Sequence, residues 1–132
     1  NYIFDDVRLI RSDSVTESIE EIHRIGDEDV ILAISFPRYS VKTIQTVSFA
    51  KNRKAKIIAI TDGAQSPLAK YADCSIYAGS DMVSFVDSLV APLSVVNALL
   101  AALSMRYKDS VTDTMLSMES IWNTMNEYEH ID

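Results

Sequence analysis

Two stretches of the chain share a pattern in which a run of apolar residues ends at a hydroxyl side chain and a turn. They are VILAISFPRYS at residues 30–40 and KIIAITDGAQS at residues 56–66. A strand that is buried on both faces has a nearly continuous apolar sequence, so both stretches predict strands inside a parallel α/β sheet. Ligands of such sheets bind at the carboxyl ends of the strands, where these hydroxyl groups fall. The pattern therefore predicts both a fold class and the position of a site.

Turn-bounded segments on either side complete an alternation of strands and helices. A β-α-β-α-β-α-β succession with short connections is typical of a parallel sheet that has right-handed crossovers and helices on both faces. We therefore predict a three-layer α-β-α sandwich in which four strands are visible. The predicted strands are 7–10, 30–35, 56–61 and 74–78, and the predicted helices are 15–25, 41–52 and a short turn at 66–71.

A longer helix is predicted at residues 84–106, followed by a last helix at 112–127. The longer one is apolar on nearly every side, which is typical of a buried helix, and a domain of 132 residues has little interior in which to bury it. We therefore expect part of its surface to contact another copy of the chain. Pro92 lies inside the pattern, so either the helix is kinked there or it begins near Val90.

Composition and charge narrow the classes of function. Apolar residues make up 48% of the chain and charged residues 23%, as in a folded domain rather than a disordered tail. The net charge of −7 argues against direct binding of nucleic acid, which usually requires a basic face. The sequence also predicts neither a membrane span nor a secretory signal.

Cysteine and histidine usage gives no sign of a metal or a cofactor. Cys74 is the single cysteine, so the chain cannot form an internal disulfide, and its apolar neighbours predict a buried thiol in a cytoplasmic protein. The sequence contains no Cys/His ligand spacing, no Walker or GxGxxG loop and no convincing Ser-His-Asp order. None of these motifs therefore predicts catalysis. We predict no catalytic residue, metal ligand or cofactor.

The first turn combines groups that suit an anion. Ser35 and Ser40 bracket it, with Thr43 one helical turn further on and Arg38 inside it. Hydroxyl and backbone N–H groups at a helix N-terminus attract phosphate, and an arginine adds a charged bidentate contact. Ser40 also has the simpler role of a helix N-cap, which is compatible with touching a ligand. Pro37 lacks an N–H group and weakens the argument somewhat.

The second turn and the start of the long helix supply further candidates. Thr61 and Ser66 line the turn after the second strand, and Ser84 and Asp87 are expected to face the same crevice. Asp62 lies in that turn too, where we expect it to bond nearby backbone amides rather than to act as a base. The candidate ligand-binding residues are thus Ser35, Arg38, Ser40, Thr43, Thr61, Ser66, Ser84 and Asp87.

Three segments carry a resemblance to a known family. VILAISFPRYSVKTI, KIIAITDGAQSPLAKYAD and SFVDSLVAPLSVVNALLAAL together resemble the Rossmann-like sugar isomerase (SIS) domain, in the form found at the C-terminus of RpiR-type bacterial transcriptional regulators. The most specific piece is SPLAKYAD after the AITD strand. The resemblance implies a five-stranded parallel sheet, dimerisation or higher self-association, and a phosphosugar effector at the carboxyl ends of the strands.

The chain departs from the family pattern in two places. The family turn is approximately Ser-x-Ser-Gly-x-Thr, and here Pro37 and Arg38 take the places of the second Ser and the Gly, while Ser35 and Ser40 fit the outer positions. The charge of Arg38 is one form of compensation. The first strand of the family has no counterpart, so we expect residues 1–132 to be a single SIS effector domain, a fragment that lacks a fifth strand and an upstream helix-turn-helix domain.

Three hypotheses about function follow. In the first, the domain is a non-catalytic sensor that binds a phosphosugar, dimerises and controls DNA binding through a domain outside this chain. In the second, it is an aldose–ketose isomerase of sugar phosphates, which needs a general base near the substrate carbons; Asp62 and Asp87 are the acids on offer. In the third, it is a structural dimerisation module that binds no ligand.

Overall fold

A computed structural model describes residues 3–4, 6–11, 13–79 and 88–125. Leu9–Val96 form one compact unit, and the described residues before and after them form another. The elements in chain order are α1 (Val15–Glu21), β1 (Val30–Ile34), α2 (Val41–Asn52), β2 (Lys56–Thr61), β3 (Cys74–Tyr77), α3 (Val90–Arg106) and α4 (Lys108–Met125).

The three strands form a parallel sheet in the order β1-β2-β3. The register pairs Ile34 with Ile60, and the ladder continues past β1 where the Ser35 N–H donates to the Ile60 carbonyl at 3.1 Å. The predicted α/β class with a parallel sheet is confirmed. Because the two strands run in step, β1 and β2 end side by side, and the loops that follow them are neighbours.

Helix α2 packs against one face of the sheet, where it contacts β1 and β2, and α1 packs against α2. Alternate residues of β1 and β2 point to this face, and Ser40 starts α2 by accepting a hydrogen bond from the Thr43 N–H at 3.3 Å. The bounds of α2 and β2 are those predicted from the sequence. The buried cluster comprises Ile31, Ala33, Val47, Ala50, Ala55, Ile57, Ala59 and Leu68, with Ile22, Ile25, Ile44, Tyr71 and Ala72 packed around it.

The other face of β1 is exposed, which corrects the prediction of a strand buried on both sides. Val30, Leu32 and Ile34 are 60%, 45% and 46% exposed. Among the described elements, α2 packs against the opposite face of β1 and leaves this one open. Cys74 is likewise exposed rather than buried, since it opens β3 at an edge of the described sheet.

The predicted first strand is wrong. Residues 7–10 form no strand, so the described residues contain three strands instead of four. Val7 and Leu9 are 54% and 69% exposed, and an apolar run becomes a strand only when a neighbouring strand accepts its backbone hydrogen bonds. Helix α1 also ends early, at Glu21, where Ile22 closes it with a bond to the Ile19 carbonyl.

Of the two alternatives for the long helix, a start at Val90 is confirmed. Pro92 is then the third helical residue, where the missing N–H group has no partner inside the helix anyway, so no kink is required. The predicted part at 84–87 lies outside the described residues. Within the described part, no single helix is long and apolar enough to cross a membrane, and α3 and α4 meet that test only as a pair bent by 97°.

One carboxylate ties the end of α2 to the sheet. Asp73 accepts a hydrogen bond from the Ile57 N–H at 2.8 Å through one oxygen and pairs with the Lys51 ammonium at 2.8 Å through the other. The hydrogen bond from Lys51, followed by the one from the Ile57 amide, lowers the pKa of Asp73 below its ordinary value. The ionised form is therefore the one that the folded chain favours.

We expect Asp73→Asn to flatten the acid end of the stability profile. A carboxyl whose pKa is lower in the folded state stabilises the fold above the unfolded pKa of about 3.9, and this contribution disappears as pH falls below that value. Urea unfolding at pH 7, 5, 3 and 2 measures it. The variant should be less stable than the wild type at pH 7, and the difference should shrink toward pH 2. A difference that is constant with pH would contradict the assignment.

Candidate functional site

The ends of β1 and β2 meet at the hydroxyl group of Thr61. This residue is fully buried, as is Ser66, and Ser35 is 7% exposed. The Thr61 Oγ1 atom lies 2.6 Å from the Ser35 carbonyl oxygen, 2.8 Å from Ser66 Oγ and 3.0 Å from Asp62 Oδ1. Three polar groups from two loops thus converge on one side chain at the carboxyl edge of the sheet.

A hydroxyl group has one proton, so Thr61 can donate to one of these three neighbours. The Ser35 carbonyl is the shortest contact and has no proton of its own, which makes it the acceptor. Ser66 can then direct its own proton to Thr61, while its oxygen accepts the Leu68 N–H at 3.2 Å. The bonds hold the loop after β1 and the turn after β2 as one unit, and the Asp62 carboxylate has a protein donor other than Thr61.

That donor is Tyr39, which the sequence analysis did not include among the site residues. Its hydroxyl lies 3.0 Å from both carboxylate oxygens of Asp62, within the normal range for an O–H···O bond. Partial burial is the main cause that raises the pKa of Tyr39, followed by the hydrogen bond to Asp62 and its negative charge, while a hydrogen bond with Ser66 opposes them. The tyrosine stays protonated, as a donor must.

The loop between β1 and α2 contains a left-handed residue. Arg38 has a φ of 66°, a conformation that glycine adopts freely and that costs other residues about 1–2 kcal/mol. This is the position at which the resemblance to the SIS pattern expects Gly. Arg38 therefore combines a backbone conformation that suits glycine with a guanidinium group.

The N-terminus of α2 closes the loop. Ser40 caps the helix through Thr43, and its own N–H lies 3.4 Å from Ser35 Oγ, a long contact across the loop. The dipole of a 12-residue helix ends here, and the helix supplies no carbonyl partners for the N–H groups of its first turn. An anion placed at this end of α2 would meet both favourable partial charge and hydroxyl donors.

The structure thus brings most of the predicted site residues to one edge of the sheet. Ser35, Thr61 and Ser66 form the buried cluster, and Arg38, Ser40 and Thr43 belong to the loop and the first turn of α2. Ser84 and Asp87 lie outside the described residues. The expectation for Asp62 is wrong, because the carboxylate contacts the hydroxyls of Tyr39 and Thr61 instead of nearby backbone amides.

The other surfaces of the described chain have weaker features of a binding site. Within the described residues, no three His, Cys, Asp or Glu side chains are grouped closely enough to hold a metal ion. One hollow of about 480 Å³ lies among residues of α4, and another of about 400 Å³ lies where the turn after α1 faces the end of α2. Neither includes a residue from the ends of the strands. The chemistry of the strand ends, rather than cavity size, identifies the candidate site.

Comparison with known proteins places this geometry in a family. The SIS domain model matches residues 14–102. A helix-turn-helix-type transcriptional regulator from Caldanaerobacter subterraneus subsp. tengcongensis is 31% identical over an alignment of 105 residues that covers 72% of this chain. The chain spans 37% of that regulator's length.

Solved structures of similar fold support the same family assignment. The sugar isomerase domain of an RpiR transcription factor from Sphaerobacter thermophilus has 25% sequence identity and a TM-score of 0.74, over 78% of this chain and 57% of that one. The NanR protein of Vibrio vulnificus, solved with ManNAc-6P, shares the fold at 16% identity, with a TM-score of 0.70 over 86% of this chain and 44% of that one. With the family model covering more than half of its residues, this chain belongs to the SIS domain family.

Proposed function

We propose that this chain is the ligand-sensing domain of a bacterial transcriptional regulator and that it binds a phosphorylated sugar without converting it. The observation that carries the proposal is the N-terminus of α2, which opens beside the hydroxyl cluster at the ends of β1 and β2. Phosphate binds favourably at such a helix end. Arg38 in the same loop adds a cation of the shape that recognises phosphate oxygens.

The relatives support the sensor role. A helix-turn-helix regulator and an RpiR transcription factor both contain a region similar to this chain, and the NanR structure contains a sugar phosphate. The net charge of −7 makes this segment unsuited to DNA, so operator binding is assigned to a domain outside this chain. Control then requires that the ligand bind two states of the regulator with different affinity.

Binding is favoured over isomerisation by the state of Asp62. An aldose–ketose isomerase needs a base that reaches a sugar carbon, and Asp62 is the one carboxylate in the two loops 35–40 and 62–66. Both of its oxygens accept the Tyr39 hydroxyl, and one also lies beside Thr61. The carboxylate is built into the loop structure and is better placed to maintain a binding site than to remove a proton from a substrate.

Self-association is the second part of the proposal. Helix α3 has an exposed apolar stripe in which Val90, Leu93 and Leu100 are 72%, 59% and 52% exposed, and Asn97 continues the spacing of three and four residues. This spacing places the four residues on one side of the helix, as in the seam between paired helices. Contact with a second copy of the chain would remove these side chains from water.

The ligand class can be tested by thermal unfolding of the chain with four compounds. Two of them, N-acetylmannosamine 6-phosphate and glucose 6-phosphate, are sugar phosphates. The other two, N-acetylmannosamine and inorganic phosphate, are controls that contain only the sugar or only the phosphate. A ligand at a hundred times its Kd stabilises by about 2.7 kcal/mol, so we expect at least one sugar phosphate to raise the Tm by several degrees more than either control. No shift with either sugar phosphate, or turnover of either one, would contradict the proposal.

Thr43→Val provides a site test with a matched control. The change removes a hydroxyl from the first turn of α2 and leaves the backbone cap by Ser40 intact. Hydrogen bonds to charged groups contribute about 1.5–3 kcal/mol, so the Kd for a sugar phosphate should rise at least about tenfold by calorimetry.

Thr46→Val is the control, one turn further along the same helix. Among the described residues its buried hydroxyl has no hydrogen-bond partner, so its loss should leave ligand affinity unchanged and stability unchanged or higher. Equal affinities for the Thr43 and Thr46 variants would exclude the Thr43 hydroxyl from the site.

We expect Leu93→Asp to weaken self-association. The substitution puts a charge in the middle of the apolar stripe of α3, and burying an unpaired charge in a subunit contact is unfavourable. Ala102→Asp is the control, because it adds the same charge at an exposed residue on the opposite side of the helix. Sedimentation equilibrium should show wild type and Ala102→Asp as dimers or larger and Leu93→Asp as a smaller species. A monomeric wild type, or identical behaviour of all three, would exclude this interface.

A further inference from the structure

The geometry points to Tyr39 as a positioning residue of the ligand-binding loop: by bonding to Asp62, it holds Arg38 in the left-handed conformation that the loop needs in order to reach the strand ends. This inference rests on the proposed function, since it names the device that keeps the binding loop in shape. Tyr39 belongs to the loop itself, and Asp62 follows directly after the last residue of β2.

The need for such a device comes from the backbone. Arg38 has a φ of 66°, and a residue with a side chain remains in that region only when its surroundings hold it there. Pro37, the residue before it, has a fixed φ and no N–H group, so its backbone cannot donate a hydrogen bond that would help to hold the loop. Tyr39, the next residue, has a hydrogen bond to Asp62 outside the loop and is therefore placed to help hold this conformation.

Tyr39 reaches a rigid anchor. Its hydroxyl lies 3.0 Å from each oxygen of Asp62, a residue 23 positions later in the sequence. Thr61, next to Asp62, is fully buried and bonded to the Ser35 carbonyl at 2.6 Å. The bond from Tyr39 therefore attaches the second half of the loop to the same end of β2 that already holds its first residue.

Attachment at these two points preorganises the loop. Ser35 at its start and Ser40 at its end are joined by the long contact of 3.4 Å between the Ser40 N–H and Ser35 Oγ, which is weak by itself. If the Tyr39 bond is lost, Arg38 can relax to an ordinary negative φ and the loop changes shape. A ligand would then have to restore the bound shape at the expense of its own affinity.

A double-mutant cycle between positions 38 and 39 separates positioning from direct contact. Glycine adopts a positive φ without strain, so Arg38→Gly removes the need for the attachment as well as the guanidinium group. The four proteins are the wild type, Tyr39→Phe, Arg38→Gly and the double variant. Their Kd values for N-acetylmannosamine 6-phosphate are measured by calorimetry, and Tyr71→Phe serves as a control that removes a tyrosine hydroxyl elsewhere in the same unit.

The effect of Tyr39→Phe on ligand binding should depend on which residue is at position 38. Tyr39→Phe should weaken binding roughly fivefold when residue 38 is arginine, the size of one hydrogen bond, and clearly less when residue 38 is glycine. Tyr71→Phe should bind as the wild type does. The same loss from Tyr39→Phe in both backgrounds would show that the hydroxyl contacts the ligand directly, and it would overturn the positioning role.

Hydrogen exchange of the ligand-free proteins tests the loop without any ligand. The amides of residues 36 and 38–43 should exchange faster in Tyr39→Phe than in the wild type, and the further change on adding Tyr39→Phe to Arg38→Gly should be small. If no sugar phosphate binds the wild type, the proposed function fails, and this measurement still decides the role of Tyr39. Unchanged exchange in Tyr39→Phe overturns that role.

Discussion

The bond from the Thr61 hydroxyl to the Ser35 carbonyl is the constraint on which the candidate site depends. It is 2.6 Å long, fully buried at Thr61, and it joins residues 26 positions apart. A buried carbonyl without a donor would be costly, and a threonine with one proton can satisfy it only because other donors supply its neighbours. Ser66 and Tyr39 fill those roles, so one short bond organises both loops.

The rest of the described fold holds the two loops and helix α2 in position. In-step pairing of β1 with β2 brings the two loops together, and the apolar cluster under α2 holds the strands in that register. At the opposite end of α2, Asp73 joins Lys51 to the backbone of β2. The helix is thus fixed at both ends, which aims its N-terminus at the site. The left-handed Arg38 is tolerated because this framework is rigid.

The parts of the structure that depend on local sequence could be predicted. The bounds of α2 follow from an N-cap at Ser40 and an amphipathic pattern, and β2 follows from a continuous apolar run. The partnership of Tyr39 with Asp62 could not be predicted, because it depends on the register of two strands rather than on any spacing within a segment. The strand expected at 7–10 failed for a related reason: its residues have the right composition, but a strand also requires a partner.

The exposed face of β1 shows a further limit of sequence patterns. A continuous apolar run predicts burial on both sides, yet Leu32 and Ile34 remain nearly half exposed where the described helices cover only the other face. An apolar run indicates which surfaces of a chain tend to be buried, but it does not indicate which element or partner covers them. At position 38 the family pattern led us to expect glycine, but the sequence could not predict that Arg38 would have the left-handed φ of 66° that suits glycine.

The most direct test of the account is a crystal structure of the chain with N-acetylmannosamine 6-phosphate. The account predicts electron density for the phosphate group at the N-terminus of α2, within hydrogen-bond distance of the hydroxyls of Ser40 or Thr43, with the sugar ring toward the ends of β1 and β2. Density for the phosphate at any other surface, with the loop 35–40 empty, would contradict it.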